Sequence, residues 1–291
     1  MILMTAEIRL HDHRYGKSAV RLVHVSRHGH RHCLADLDVN ITLAGDLSET
    51  YLTGDNGKVL ATDSQKNTVY AFAKQFGISR VEDFAMELAR HFVRSQSAVN
   101  RSRIRIDERR WERITAEHSF ARSGTELRTT VVTYDGERTW IIGGMTGLDM
   151  LNTTGSEFRG YPRDPYTTLP ETGDRILATS LTAHWRYATA DGDWDDWHAT
   201  IRSALMSAFA DTYSKSLQQT LYAMGQRAME ACPQIAEIRL TLPNKHHLLV
   251  ELDKFGLGNP NEVFVATQEP FGLIEGTLVR EGAPEPGLAW W

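Results

Sequence analysis

Thr62, Asp63 and Ser64 stand where the chain first offers chemistry. The apolar run Val59-Leu60-Ala61 ends at them, and behind them Val69, Phe72, Ala73 and Phe76 recur at helical spacing. The stretch therefore reads as a strand passing straight into a helix. A side-chain oxygen of Thr62, Asp63 or Ser64 can cap the first turn, and Gly77 can close the last. The free amides and the dipole at such a terminus hold a carbonyl oxygen or an anion, with Thr62 and Asp63 at the mouth. Taken alone, the stretch is more simply a well-capped surface helix, so a chemical role has to be supported from elsewhere in the chain.

Other stretches gather polar and aromatic side chains in close order. Tyr15-Gly16-Lys17 precedes the first strand, and Glu157-Phe158-Arg159-Gly160-Tyr161-Pro162-Arg163-Asp164 opens a long connection that runs to Leu169. Asp174-Arg175, Ser216-Leu217-Gln218 and Leu242-Pro243-Asn244-Lys245-His246 complete the set. A different cluster, Ser26-Arg27-His28-Gly29-His30-Arg31-His32-Cys33, invites a metal reading. In a strand, however, closely alternating residues point to opposite faces, so a solvated turn is the better account of His28, His30, His32 and Cys33.

The elements that position these residues follow from periodicity. Strands are expected over residues 19–25 and 34–43, with residues 26–33 as the turn between them. After the helix from Thr62, the capping-box pattern Ser79-Arg80-Val81-Glu82 leads a second helix through Phe84, Ala85, Leu88 and Phe92. Arg101 to Asp107 alternates charged and apolar residues, the mark of a strand with one wet face. Asp135-Gly136 between Thr129–Tyr134 and Arg138–Ile142 signals a hairpin. Arg175–Tyr187 contains a further strand. Asp193 caps a helix with Trp194, Trp197, Ile201, Leu205 and Ala208 on its apolar face, and a partner helix follows through Leu217, Leu221, Met224 and Ala228. Strands return over Ile235–Leu242, Leu248–Leu252, Val263–Ala266 and Leu273–Val279. Strand pair, two consecutive helices, then strands, stated twice, is an internal repeat. It implies the α+β class, with antiparallel sheets and paired helices on one face, as units over residues 1–125 and 126–291. Open sheet edges in such units imply oligomerisation.

Composition narrows the functions. The chain has 291 residues, 41% of them hydrophobic and 24% charged, with a formal net charge of -5. These are the proportions of a globular protein, and that charge gives no general attraction to nucleic acid or to an anionic membrane. Cys33 and Cys232 are far apart, with no disulfide or metal spacing. No apolar run approaches membrane-spanning length. Met1-Ile2-Leu3-Met4-Thr5 is too short for a signal sequence, and Leu288-Ala289-Trp290-Trp291 is not a peroxisomal Ser-Lys-Leu tail. The expectation is a cytoplasmic protein.

The site stretches, together with Ala61-Thr62-Asp63-Ser64-Gln65-Lys66-Asn67, resemble the urate oxidase (uricase) family from about Tyr15 to about Val279. The blocks are collinear and spread over both halves, and their specificity lies in the combination. The resemblance implies the tunnelling fold (T-fold), with two antiparallel-sheet and paired-helix units per chain assembled into a barrel-like homotetramer. It implies oxidation of urate by dioxygen to 5-hydroxyisourate and hydrogen peroxide, with no metal and no organic cofactor. It also implies a site between subunits. Lys17, Thr62 and Asp63 would come from one chain, and Phe158, Arg175, Leu217, Gln218, Asn244 and His246 from its neighbour.

The residue types suit a flat, conjugated anion. By the resemblance, Arg175 offers a planar fork of donors to one edge, and Gln218 offers a donor and an acceptor to the opposite, amide-like edge. Phe158 stacks on the ring. Backbone amides near Thr62, Asp63 and Leu217 complete the rim. The resemblance further implies that Lys17, Thr62 and His246 are a proton relay that removes a second proton from urate, and that Asn244 holds dioxygen, then water, over the ring. Two rivals share these features: another tunnelling-fold enzyme acting on purines or pterins, some of which use zinc, and a non-catalytic purine-binding protein. Leu217 stands where valine is frequent in the family, a small change if its backbone makes the contact.

Overall fold

The computed structural model describes residues 8–115, 117–267 and 269–291. Two compact units emerge. One takes the chain through Arg122, with Thr130–Ile141 and Gly287–Trp291; the other takes Ser123–Thr129 and Ile142–Pro286.

In the first unit β1 (Val20–His28), β2 (Arg31–Gly45) and β3 (Val99–Arg113) run antiparallel, with β4 (Phe120–Tyr134) following β3 in the sheet. Alternation decides which face is buried. Leu37, Val39, Ile41 and Leu43 of β2 lie beside Ile104 and Ile106 of β3, all at 2% exposure or less. They pack under the paired helices α2 (Thr62–Phe76) and α3 (Val81–Ser95), and Ser102 Oγ donates to the Ala89 carbonyl of α3 at 2.8 Å. Arg101, Arg103 and Arg105 alternate with these residues, as a one-sided strand requires. A short helix, α1 (Ser48–Leu52), precedes the pair.

Four expectations for this unit change. The turn expected over residues 26–33 is strand almost throughout: Ser26 pairs with Cys33 and Arg27 with His32, leaving Gly29 (φ 62°) and His30 as the turn. His32 and Cys33 consequently face opposite sides of β2; the side chain of His28 lies outside the described residues. No group of three or more His, Cys, Asp or Glu placed to hold a metal occurs among the described residues. Val59–Ala61 is not a strand, because the Leu60 carbonyl is taken by side chains instead of a ladder. Ala61, and not Thr62, Asp63 or Ser64, is the N-cap residue of α2, with no side-chain cap bond. Likewise Arg80 opens α3 without a side-chain cap, and its guanidinium reaches Asp83 at 2.6 Å in place of the expected capping box. Gly77 ends α2 as expected, its φ of 71° lying in the left-handed region.

The hairpin at Asp135-Gly136 is as read: Asp135 Oδ1 accepts from the amides of Glu137 and Arg138 at 3.0 and 2.7 Å, and Gly136 has φ 98°. It joins β4 to β5 (Thr139–Asn152).

In the second unit the order is β5, β6 (Leu177–Tyr187), β7 (Ile235–Asn244) and β10 (Gly272–Val279), all antiparallel neighbours. The helix pair is α4 (Trp194–Asp211) and α5 (Leu217–Ala231), with Asp193 capping α4 and Ser216 capping α5 through their side chains. Trp185, Tyr187, Trp194, Trp197 and His198 make an aromatic core with ring centroids 5.2–6.5 Å apart. Gly143 is required there, since a Cβ would lie 2.6 Å from the Trp185 indole nitrogen. A small hairpin, β8 (His247–Leu249) with β9 (Phe264–Ala266), stands apart from this sheet. Its placement shortens the strand expected over Leu248–Leu252. Both units thus have antiparallel strands with paired helices, the α+β arrangement expected. No described helix is long and apolar enough to cross a membrane.

Candidate active site

Lys17, Thr62 and Asp63 fall in the first unit, and Phe158, Arg175, Leu217, Gln218, Asn244 and His246 in the second.

The arm that carries Lys17 is seated on β2. Tyr15 exchanges backbone hydrogen bonds with Leu43 (3.0 and 2.7 Å), and the Lys17 carbonyl accepts from Ile41 N at 2.8 Å. Gly16 makes this approach possible, because a Cβ there would lie 1.8 Å from the Ile41 carbonyl oxygen. The Tyr15 hydroxyl then donates to the Leu60 carbonyl at 3.1 Å, just before α2. Thr62 is half-buried at the first position of the helix, where its amide has no partner within the helix. Asp63 is exposed and receives Lys66 Nζ at 2.5 Å and Asn67 Nδ2 at 3.0 Å. Lys66, through that bond and its charge, holds the Asp63 carboxyl below its usual range, and Asn67 and the charge of Lys17 add to the effect. The Tyr15–Leu60 bond brings the arm that carries Lys17 to the segment that leads into α2.

In the second unit Phe158 and Thr172 exchange backbone hydrogen bonds (3.0 and 3.2 Å), closing the long connection into a loop. This settles the path of the loop beyond Phe158. Tyr161 stacks on Phe158 with centroids 4.8 Å apart and planes at 14°, and its hydroxyl donates to the Leu169 carbonyl at 2.5 Å. Arg159 lies against Gly173, where a Cβ would come within 1.9 Å of its guanidinium. Arg175 sits with its guanidinium carbon 5.2 Å from the Phe158 ring centroid. Its amide donates to the Ser156 carbonyl at 2.9 Å and its Nε to Ser156 Oγ at 3.4 Å, and burial pushes its pKa down from the usual arginine value. Asp174 Oδ1, beside it in the chain, accepts from Thr154 Oγ1 at 3.0 Å.

Ser156 links Arg175 to α5. It bridges to Ser214, whose amide donates to Gly155 O at 2.9 Å, and Glu157 N donates to Ser214 O at 2.8 Å. Ser214 and Thr220 hydroxyls are bonded at 2.8 Å, holding the approach to α5. Leu217, only 1% exposed, is the first residue of α5, so its side chain is core while its amide belongs to the open first turn. Gln218 is exposed beside it, on a groove of about 540 Å³ walled by Leu221, Tyr222, Gly276 and Leu278. None of the other expected site residues lines that groove.

Asn244 ends β7 opposite Gly272 of β10 and opposite Thr179 of β6, which follows Arg175 closely in the chain. Lys245 N donates to Ala178 O at 2.9 Å, and its Nζ pairs with Asp149 at 2.7 Å. His246 lies between β7 and β8, outside any strand, with its carbonyl accepting the amide and hydroxyl of Thr267 at 2.9 and 3.1 Å.

The structure brings the Lys17 arm to the head of α2 and Arg175 to Phe158, with Ser156 and Ser214 linking Arg175 to α5; the described contacts do not join Gln218, Asn244 or His246 to that cluster. Four residues that support them were missed. Tyr161 and Ser156 carry no periodic signal. Thr179 offers a buried hydroxyl, without a partner in the structure, across from Asn244. Gln65 was legible: it precedes Val69 and Ala73 at intervals of one helical turn, so it falls on the buried face, and it is 0% exposed.

Comparison with known proteins places the chain in a family. The uricase family profile matches residues 13–133 and 141–275. A uricase from Arthrobacter globiformis is 47% identical over 285 residues, covering 98% of this chain and 94% of that protein. A uricase from Dictyostelium discoideum is 37% identical over 92% of this chain and 96% of its own length. The crystal structure of the Arthrobacter globiformis uricase superposes with a TM-score of 0.95, covering 98% of this chain and 99% of that one at 47% identity. A uricase structure from Bacillus fastidious, at 24% identity and a TM-score of 0.81 over 93% and 94% of the two chains, shares the fold.

Proposed function

The chain belongs to the uricase family, and from that membership we infer that it is a urate oxidase, an oxidoreductase with dioxygen as acceptor. The observation that carries the reading is near-full-length similarity to uricases, joined to a second-unit cluster of the right chemistry for a planar anion. The finer statements that follow are proposals on the same footing.

Arg175, half-buried and set against the Phe158 face, presents two parallel N–H donors to a carbonyl edge of urate and its adjacent nitrogen. Phe158 supplies the plane on which the purine stacks, and Tyr161 backs it. Gln218 reads the opposite edge, and the free amides of Thr62, Asp63 and Leu217 complete the rim at two helix N-termini.

Lys17, Thr62 and His246 carry the protons. A neutral Lys17 draws a proton from urate through the Thr62 hydroxyl, and His246 passes it on near neutral pH. The resulting dianion is electron-rich enough to reduce dioxygen, which leaves as hydrogen peroxide. Water held at Asn244 then adds to the oxidised ring to give 5-hydroxyisourate. In this scheme urate supplies both electrons and no cofactor is needed.

The site is proposed to be complete only between subunits of a homotetramer, with residues 1–125 and 126–291 as the two tunnelling-fold repeats of each chain. Two features support an assembly: β1 and β10 end their sheets with exposed side chains such as Val23, Leu273 and Val279, and the groove beside Gln218 lacks the remaining site residues. A cytoplasmic enzyme is proposed with it. The test is direct. Purified, chelator-treated protein should consume urate and oxygen in equal amounts and release peroxide, and light scattering should report four chains. Inert protein rescued by added metal would overturn the cofactor-free scheme; an active monomer would overturn the shared site.

A further inference from the structure

Tyr15 touches neither urate nor the protons in this scheme, yet it joins the two elements that do the proton work. Through its backbone it is bonded to Leu43 of β2, and two residues on Lys17 is bonded to Ile41. Through its hydroxyl it reaches Leu60 O at 3.1 Å, and the same oxygen accepts from Gln65 Nε2 at 3.2 Å. Gln65 is fully buried on α2, and its own amide donates to Ala61 O at 3.2 Å. Leu60 and Ala61 lead directly into Thr62. Strand β2, the Lys17 arm, the segment before α2 and the first turn of α2 are thereby closed into one ring of hydrogen bonds.

We propose that Tyr15 and Gln65 form a clasp on the Leu60 carbonyl that sets the separation of Lys17 from Thr62, which makes Tyr15 a positioning residue for proton transfer. The proposal rests on the assignment of Lys17 and Thr62 to the relay. Two donors on one carbonyl of irregular backbone fix its orientation more tightly than either alone, and removing one leaves the other in place. Burial raises the pKa of the Tyr15 phenol, so its hydroxyl stays protonated and donating through the neutral range. Proton transfer is sensitive to such placement, since donor and acceptor must meet at hydrogen-bond distance.

The clasp is tested with Tyr15→Phe, which keeps the ring and deletes the donor, and with Gln65→Met, which keeps the length of the other arm. Each should lower kcat about tenfold while KM for urate stays within about twofold, because the edge-reading contacts lie elsewhere. In a Lys17→Met background, followed by single turnover, Tyr15→Phe should cost nothing further. Loss of kcat by the same factor with and without Lys17, or a rise of KM in step with the fall of kcat, would show a general structural role and overturn the clasp. Thr62→Ala separates the two layers of the argument. If Thr62→Ala and Lys17→Met leave kcat unchanged, the relay assignment falls; if they lower it and Tyr15→Phe does not, the clasp alone falls.

Discussion

Replacing Arg175 by lysine keeps a positive charge beside Phe158 and removes the geometry. In the structure the Arg175 backbone amide is bonded to Ser156 O at 2.9 Å, the guanidinium meets Ser156 Oγ through Nε at 3.4 Å, and its carbon lies 5.2 Å from the Phe158 centroid. Its outer nitrogens are thereby left for a ligand. A charge-assisted hydrogen bond contributes about 1.5–3 kcal/mol, and a cation over an aromatic ring at a partly exposed site about 0.5–1 kcal/mol. Lysine can keep one donor but neither the second nor the ring contact, so the loss should be about 2–4 kcal/mol. That corresponds to a fall in kcat/KM of about 30- to 800-fold. The assay is the decay of urate absorbance in air, with binding of a non-oxidisable purine dione measured separately to divide the loss between ground state and turnover. If Arg175→Lys stays within threefold of the parent in both, Arg175 does not grip the substrate edge and the second-unit half of the site is wrongly drawn.

Other substitutions probe the supports. Tyr161→Leu removes a stack that contributes about 0.5–1.5 kcal/mol and the bond to Leu169, so KM for urate should rise about three- to tenfold with kcat little changed; an unaltered KM would show that Phe158 needs no backing. Gly16→Ala forces a methyl onto the Ile41 carbonyl and should cost about 1–3 kcal/mol of stability by denaturant unfolding, with kcat falling as Lys17 is displaced. Full stability in Gly16→Ala would contradict the seating of the arm on β2. His91 lies 4.7 Å from Phe72 by ring centroid, near Glu87, Arg90 and Arg94, and its burial lowers its pKa. A histidine disfavoured as a cation in the folded state contributes stability above its unfolded pKa and loses it as pH falls through the lower folded value. His91→Phe should therefore reduce the loss of melting temperature between neutral and mildly acidic pH, and an unchanged slope would refute it.

Legibility followed the kind of interaction involved. Helices α2 to α5 were readable because an apolar stripe of period 3.6 is a local record of which face is buried, and the Asp135-Gly136 hairpin because a left-handed backbone position demands glycine. The Asp193 cap was readable too, yet the Ser79 capping box was not formed: Arg80 is the N-cap residue, and the Glu82 carboxylate accepts from Thr130 Oγ1 at 2.8 Å. The His-rich stretch at residues 26–33 misled in the opposite direction. Its polar content suggested a loop, but pairing with Arg31–Cys33 turned all of it except Gly29 and His30 into ladder.

By itself the sequence determined the α+β class, the paired helices, the residue set that resembles uricases, and the placement of Thr62 and Leu217 at helix starts. The helices and their starts depend on spacing within a few turns of chain, the class on the order of the elements, and the resemblance on collinear blocks spread over both halves. Only the tertiary structure decided that Val59–Ala61 is not a strand, that Tyr161 backs Phe158, that Ser156 holds Arg175, and that His246 sits between strands. Apart from Tyr161, which stacks on a near neighbour in the chain, an irregular backbone group or a side-chain face finds its partner across a distance in sequence. Leu60 is the clearest instance: its carbonyl is claimed by Tyr15 from the arm on β2 and by Gln65 from the buried face of α2, and no local pattern encodes a bond between residues 45 positions apart.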